Sequence, residues 1–167
     1  MRRQGIRRSA ERMAAYETSF VAGWGEMDFN AHMGNRAYLD KSGDVRVMFF
    51  AEHGFPASEF ARLRIGPVIL KDTLEYYREI GLLEAFRVSL ALCAGAEDGS
   101  RFEIRNDFTR HDGKRAARVT STGAWLDLSR RKLVVPPLEL AAAIRAMPRT
   151  TPFTVLPSIT ASSSSSI

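Results

Sequence analysis

The chain has 167 residues, 45% of them hydrophobic and 26% charged, with a formal net charge of +5 and a single cysteine. A chain of this size accommodates one domain with its own core, and a lone Cys93 excludes an intrachain disulfide and any multi-thiolate metal centre. No apolar run approaches the roughly 18 residues that a membrane-spanning helix needs, and no signal-peptide core is visible.

Residues 1–14 read as a basic arm, with Arg2, Arg3, Arg7, Arg8 and Arg12 opposed only by Glu11. The arm has no interleaved aromatics and no nucleic-acid motif follows it, so a frayed, solvated terminus is expected and nucleic acid is not an expected partner. Tyr16 to Val21 reads as a first strand. Gly23 to Gly34 is polar and punctuated by glycine, hence a loop. A helix is expected from Gly34 or Asn35 to His53, with Asn35 suited to the N-cap, Gly54 to the C-terminal stop and Pro56 just beyond. Tyr38, Ser42, Val45, Phe49 and Glu52 share one face, and Leu39, Val47 and Phe50 widen its apolar side. Gly43 costs about 1 kcal/mol relative to alanine inside a helix, which suggests a close approach to another backbone.

A short second helix is expected over Ala57 to Leu63, and β structure after it. Val68 to Tyr77 and Phe86 to Ala94 read as strands, with Cys93 a small buried hydrophobe in the second. Phe102, Ile104 and Phe108 alternate with Arg101, Glu103, Arg105 and Asp107, and Ala117 to Trp125 alternates likewise. Asp98-Gly99 and Asp112-Gly113 fall between these runs as hairpin turns, giving an antiparallel meander. Leu138 to Met147 reads as a terminal helix after Pro136-Pro137, and residues 149–167, rich in Thr, Pro and Ser, as a disordered tail. The domain is therefore placed at residues 15–148. The expected class is α+β, one long helix on an antiparallel sheet of about five strands. One helix cannot cover such a sheet, so oligomerisation is expected.

The chemistry concentrates in Trp24-Gly25-Glu26-Met27-Asp28-Phe29-Asn30-Ala31-His32-Met33-Gly34-Asn35-Arg36-Ala37-Tyr38-Leu39. A carboxylate and an imidazole four residues apart stand just before a helix start, whose unpaired N–H groups suit an oxyanion. A carboxylate facing those donors is a nucleophile or general base for acyl transfer without a metal. The structural alternative is a turn-capping Asp28, a satisfied His32 and an Asn35 that only caps.

The run D-F-N-A-H-M-G-N-R-A-Y-L, followed by V-R-V-M-F-F, resembles the motif of the 4-hydroxybenzoyl-CoA thioesterase-like hotdog proteins, and the likeness extends from about Thr18 to about Pro136. It includes His53-Gly54-Phe55-Pro56 and Glu75-Tyr76-Tyr77-Arg78-Glu79-Ile80. The resemblance implies a hotdog fold, a long helix wrapped by a curled sheet, paired as a homodimer with a tetramer of two dimers as the larger alternative. It implies hydrolysis of an acyl- or aroyl-CoA to free acid and CoA, with no cofactor beyond the CoA of the substrate; the single thiol suits a cytoplasmic location, and the local chemistry calls for no metal. Asp28 matches the catalytic carboxylate, and the backbone N–H of Asn35 the donor that polarises the thioester carbonyl. His32 matches a frequent loop histidine that orients substrate or water, and Tyr38 a helix tyrosine whose role is packing or chemistry. Asn30 and Gly34 complete the expected substrate-binding set. Two positions depart from the pattern: Glu26 stands where many relatives have a second Asp, and Ala31 where many have Gly before the histidine. Glu79 and Glu84 rank low as further carboxylates supplied by a neighbouring subunit. The alternatives are a non-catalytic acyl-CoA or acyl-carrier binding protein, and a dehydratase with His32 as base.

Overall fold

The computed structural model describes residues 15–164, so the basic arm 1–14 and the last three residues lie outside the described chain. In chain order the elements are β1 (Tyr16–Val21), α1 (Asn35–Glu52), α2 (Ala57–Leu63), β2 (Ile65–Tyr76), β3 (Ala85–Ala96), β4 (Arg101–Arg110), β5 (Arg115–Asp127), β6 (Lys132–Val134), α3 (Leu138–Arg145) and β7 (Arg149–Leu156). This is an α+β arrangement, and no described helix is long and apolar enough to cross a membrane.

Helix α1 buries Tyr38, Ser42, Val45 and Phe49 along one face, at the spacing that three turns of helix require. Gly54 ends it at φ 87, a left-handed conformation that glycine adopts without strain. The N-cap is Gly34 rather than Asn35. The Asn35 side chain instead accepts the Arg36 N–H at 2.8 Å. A Cβ at residue 34 would lie 3.3 Å from the Asp28 Cβ, so the capping position has little room for a side chain. Val47 does not join the apolar side and is largely exposed.

Gly43 also departs from expectation, because an added Cβ there would meet nothing within 4 Å. It borders an apolar cavity of about 350 Å³ lined also by Phe50, Phe55 and Phe60, not a second backbone. Gly43→Ala therefore stabilises the protein by up to about 1 kcal/mol through helix propensity, measurable as a raised midpoint in urea.

The five strands expected from the sequence form one continuous path, β1-β3-β4-β5-β2. The sheet is nevertheless seven-stranded, because β6 pairs with β5 and β7 pairs with β3. β6 spans three residues, too few to display a period. β7 corrects the expectation of disorder from residue 149 onward. It runs parallel to β3, placing Thr154 opposite Ala94 and Leu156 opposite Ala96, and Phe153 packs on the core. Its Thr, Pro and Arg content masks a strand that is stable only once β3 offers an edge. Beyond it, Ser158 donates to the Asp98 carboxylate, and the Ile159 N–H donates to the Ser100 hydroxyl at 3.1 Å. β2 begins three residues earlier than its pattern suggests and contains Pro67. It pairs only with β5 among the described strands, the edge position where a missing N–H is tolerated.

The meander turns at Asp98-Gly99 and Asp112-Gly113, where both glycines have positive φ. Each aspartate accepts an N–H two residues on, from Ser100 and from Lys114, both at 3.0 Å. Alternate residues of β3 and β4 face inward, among them Phe86, Val88, Leu90, Phe102, Ile104 and Phe108. The sheet meets α1 through aromatic edges: Tyr38 packs on Phe108 of β4 with centroids 5.0 Å apart, and Phe50 on Trp125 of β5 at 5.7 Å. Burying each such side chain contributes about 1.5–3 kcal/mol. The Trp125 indole N–H, fully buried, donates to the Gly99 carbonyl at 2.9 Å. This core fixes α1, and with it the position of its N-terminus.

Candidate active site

The loop between β1 and α1 is a tight turn with bridges at both ends. Within it the Asp28 N–H donates to the His32 carbonyl at 2.7 Å and the Ala31 N–H to the Asp28 carbonyl at 3.1 Å. Ala31 takes φ 62, so the left-handed turn that glycine would adopt freely is kept here with an alanine. The Met33 N–H donates to the Ile80 carbonyl at 2.8 Å, and His32 forms a bridge with Gly81. The loop is thereby clamped between the start of α1 and the segment joining β2 to β3.

The Asp28 carboxylate is oriented by its own turn. Oδ1 accepts the Asn30 N–H at 2.8 Å and the His32 N–H at 3.2 Å. Among the described residues Oδ2 has no hydrogen-bond partner, and Asp28 is exposed to the cavity. Gly34 brings the first turn of α1 against Asp28. The Gly34 N–H is taken by the Glu26 carbonyl at 2.9 Å, Arg36 N–H by the Asn35 side chain, and Ala37 N–H by the Gly34 carbonyl at 3.0 Å. Asn35 keeps a first-turn N–H that, among the described residues, has no acceptor.

Asp28, Asn30, His32, Gly34, Asn35 and Tyr38 all line one cavity of about 570 Å³. The opposite wall is Tyr76, a strand residue that the sequence offers as pocket lining, together with Tyr77 and Arg78 after the end of β2, which sequence reasoning missed. Glu79, ranked low and assigned to a neighbouring subunit, lies in the same chain against His32, its Oε2 3.0 Å from Nε2. The only sequence signal for this wall was the run Glu75 to Ile80, whose cavity-facing role emerges only when the loop docks on it.

Two carboxylates in the neighbourhood are structural. Burial alone would raise the Glu26 carboxyl, but the Gly23 N–H at 2.7 Å and the Lys41 ammonium at 2.9 Å outweigh it and hold it below the usual range. Burial likewise opposes the Glu84 charge, yet the Gly81 N–H at 3.0 Å and the Arg110 guanidinium at 2.6 Å keep its pKa low. Glu84 thus braces the turn that carries Glu79 and Ile80. Tyr38 is buried beneath the cavity, edge-on to Tyr76. Burial, with the nearby Tyr76, Glu84, Asp28 and Glu79, pushes its hydroxyl up to about 12, so it stays protonated at neutral pH. Among the described residues no group of three or more His, Cys, Asp or Glu is placed to hold a metal ion.

An oriented carboxylate with a free oxygen, beside an unpaired helix N–H, can deliver or activate a nucleophile and stabilise an oxyanion. The profile of a family described as the thioesterase-like superfamily matches residues 22–144. No curated protein sequence matches the chain. Solved structures share the fold. The hypothetical protein SAV2348 from Staphylococcus aureus, in complex with CoA, superposes with a TM-score of 0.72 at 20% identity, over 81% of this chain and 87% of that one. The 1,4-dihydroxy-2-naphthoyl-CoA thioesterase Slr0204 from Synechocystis gives 0.71 at 10% identity, over 80% and 97%. The gentisyl-coenzyme A thioesterase BH1999 gives 0.67 at 17% identity, over 76% and 98%.

Proposed function

The chain belongs to the thioesterase-like superfamily, and on that premise we propose that it hydrolyses an acyl- or aroyl-CoA to the free acid and CoA at Asp28. The observation that carries this reading is the pairing of the oriented Asp28 carboxylate with the unpaired Asn35 N–H in one cavity. The thioester carbonyl oxygen lies toward the Asn35 N–H. Oδ2 of Asp28 then either takes a proton from water attacking the carbonyl carbon or attacks that carbon itself, forming a mixed anhydride that water cleaves. In both routes the tetrahedral intermediate collapses by breaking the C–S bond. The thiolate leaves and departs as CoA thiol, taking its proton from Asp28 in the first route and from solvent in the second, where the water that cleaves the anhydride returns one. Thiols are far more acidic than alcohols, so a thiolate is a good leaving group and the site requires no strong general acid.

His32 holds Asp28 through its backbone N–H, while its ring, paired with Glu79, borders the path of substrate or water. Asn30 contributes a second N–H to the same oxygen. Tyr38, neutral and buried, shapes the cavity floor. In this reading no cofactor is needed beyond the CoA of the substrate. The free edge of β2, with Ile69 and Leu70 exposed, supports a homodimer built through that strand, with a tetramer as a pair of dimers. The cytoplasm is the compartment proposed.

A panel of acyl- and aroyl-CoA esters assayed for free thiol tests the proposal. Saturable turnover of at least one ester is expected. Tight binding of the esters with none consumed identifies the non-catalytic carrier-binding alternative instead.

A further inference from the structure

We propose that an apolar ridge formed by Val21, Trp24, Leu82 and Leu83, together with the arginines of residues 1–14, docks the protein on the surface of an anionic lipid bilayer. The ridge is assembled by backbone pairing. The Ala22 N–H donates to the Glu84 carbonyl at 3.0 Å, and the Leu83 N–H donates to the Ala22 carbonyl at 2.8 Å. These bonds set Val21 and Trp24, at the end of β1 and just after it, beside Leu82 and Leu83 in the segment joining β2 to β3. All four side chains stand in solvent: Val21 is 57% exposed, Trp24 82%, Leu82 45% and Leu83 74%. Leu83 is held at φ 62, a left-handed conformation that a leucine adopts only at a cost. The fold thus accepts strain while keeping a leucine outside the core, and clustered exposed apolar side chains mark an interaction surface. A homodimer through β2 does not employ this ridge, because β1 and β2 stand at opposite ends of the strand path.

Charge identifies the partner. Residues 1–14 carry five arginines against Glu11 alone, a net +4 of the chain's +5. Nearly all of the positive surplus therefore sits in the segment that leads into β1, the strand whose far end bears Val21. The six residues of β1 span about 20 Å, and fourteen residues of chain reach up to about 46–50 Å, so the arginines can lie beside the ridge. Tryptophan and aliphatic side chains bury at the boundary between headgroups and acyl chains, while arginines sit among anionic headgroups. Either signal alone gives marginal binding, and the two together hold a protein at the surface. A nucleic acid would engage the arginines and leave the leucines in water. An apolar protein groove would take the leucines without the arginines. Because His32 bridges to Gly81, next to Leu82, the Asp28 cavity lies beside the ridge, and docking brings it to the surface where amphipathic molecules collect.

The test uses the full chain and vesicles of phosphatidylcholine with phosphatidylserine, against vesicles of phosphatidylcholine alone. The chain has two tryptophans and Trp125 is fully buried, so a change in emission on adding vesicles reports Trp24. The protein is expected to sediment with the anionic vesicles and to shift its emission to the blue, both effects fading as salt is raised. Trp24→Ser combined with Leu83→Ser is expected to lower the partition at least about tenfold, with the urea midpoint unchanged because both side chains are exposed. Replacing Arg2, Arg3, Arg7, Arg8 and Arg12 by Gln is expected to lower it on the same scale. Trp24→Phe is expected to keep the binding and lose the shift. Equal binding to both kinds of vesicle, binding without a shift in emission, or a serine variant that binds like the parent overturns the proposal. So does a serine variant that changes oligomeric state without lipid, which gives the ridge to a second copy, or an equal shift with duplex DNA, which gives it to nucleic acid. Lipid binding is read without any thioester, so its failure leaves hydrolysis at Asp28 standing.

Discussion

Asp28→Asn is expected to lower kcat by about 10²–10⁴-fold, the range over which a positioned acid or base contributes, while KM changes little. The substitution is close to isosteric, and its effect is confined by the geometry of the turn. The amide oxygen of asparagine still accepts the Asn30 and His32 N–H groups that now bind Oδ1. The left-handed Ala31, the Met33–Ile80 hydrogen bond and the approach of Gly34 are untouched. What disappears is the negative charge and basicity of Oδ2. Circular dichroism and the urea midpoint are therefore expected to match the parent, and a rate equal to the parent's removes Asp28 from the chemistry. The Asn35 side chain behaves differently. The group invoked there is a backbone N–H, so Asn35→Ala costs mainly the small cap at Arg36 and leaves the oxyanion donor in place.

The largest effect on stability is expected at Gly123, on β5. Its cross-strand partner on β4 is Phe102, and its partner on β2 is Ile69. A Cβ at 123 would lie 2.6 Å from two atoms of the Phe102 ring and 2.7 Å from the Val68 carbonyl oxygen. The ring tilts against Trp125 with centroids 5.5 Å apart and borders the apolar cavity beside Gly43, so it has some room to shift. The carbonyl belongs to the β2 backbone and is held by pairing with β5. Gly123→Ala is therefore expected to destabilise by about 1–3 kcal/mol, the usual cost of overpacking, read as a lowered urea midpoint at unchanged slope. Gly123→Ala with Phe102→Leu should recover part of that loss, since the shorter side chain vacates the clash. Failure of any loss to appear means that the sheet relaxes at this crossing more easily than its pairing suggests.

These two positions show which parts of the molecule are legible in its sequence. The strand Tyr16–Val21 and the meander carry strong local signals, namely period-two alternation and Asp-Gly turns, and the folded chain follows them. Asp28, His32 and Asn35 are visible because a functional loop next to a helix start concentrates its chemistry in a short run. Gly123 gives no such signal: a glycine in an alternating strand reads as a weak point until Phe102 is known to lie across it. β7 is hidden for a related reason, since Arg149–Leu156 has little to pair with until β3 is in place. Tyr76 to Glu79 reach Asp28 only because Met33 and His32 pair with residues 80 and 81, a contact over some fifty positions that no local pattern encodes. Gly43 fails in the opposite sense. Its presence in a helix suggested a tight backbone crossing, and the space beside it is an open apolar cavity.

A single-turnover reaction, with protein in excess over an acyl-CoA that it binds, tests the central claim most directly, because it separates the chemical step from product release. The account predicts that one CoA thiol and one free acid form per ester consumed, well above the spontaneous rate, in the wild type, while Asp28→Asn binds the same ester and leaves it intact. An ester bound by the wild type and recovered whole contradicts it.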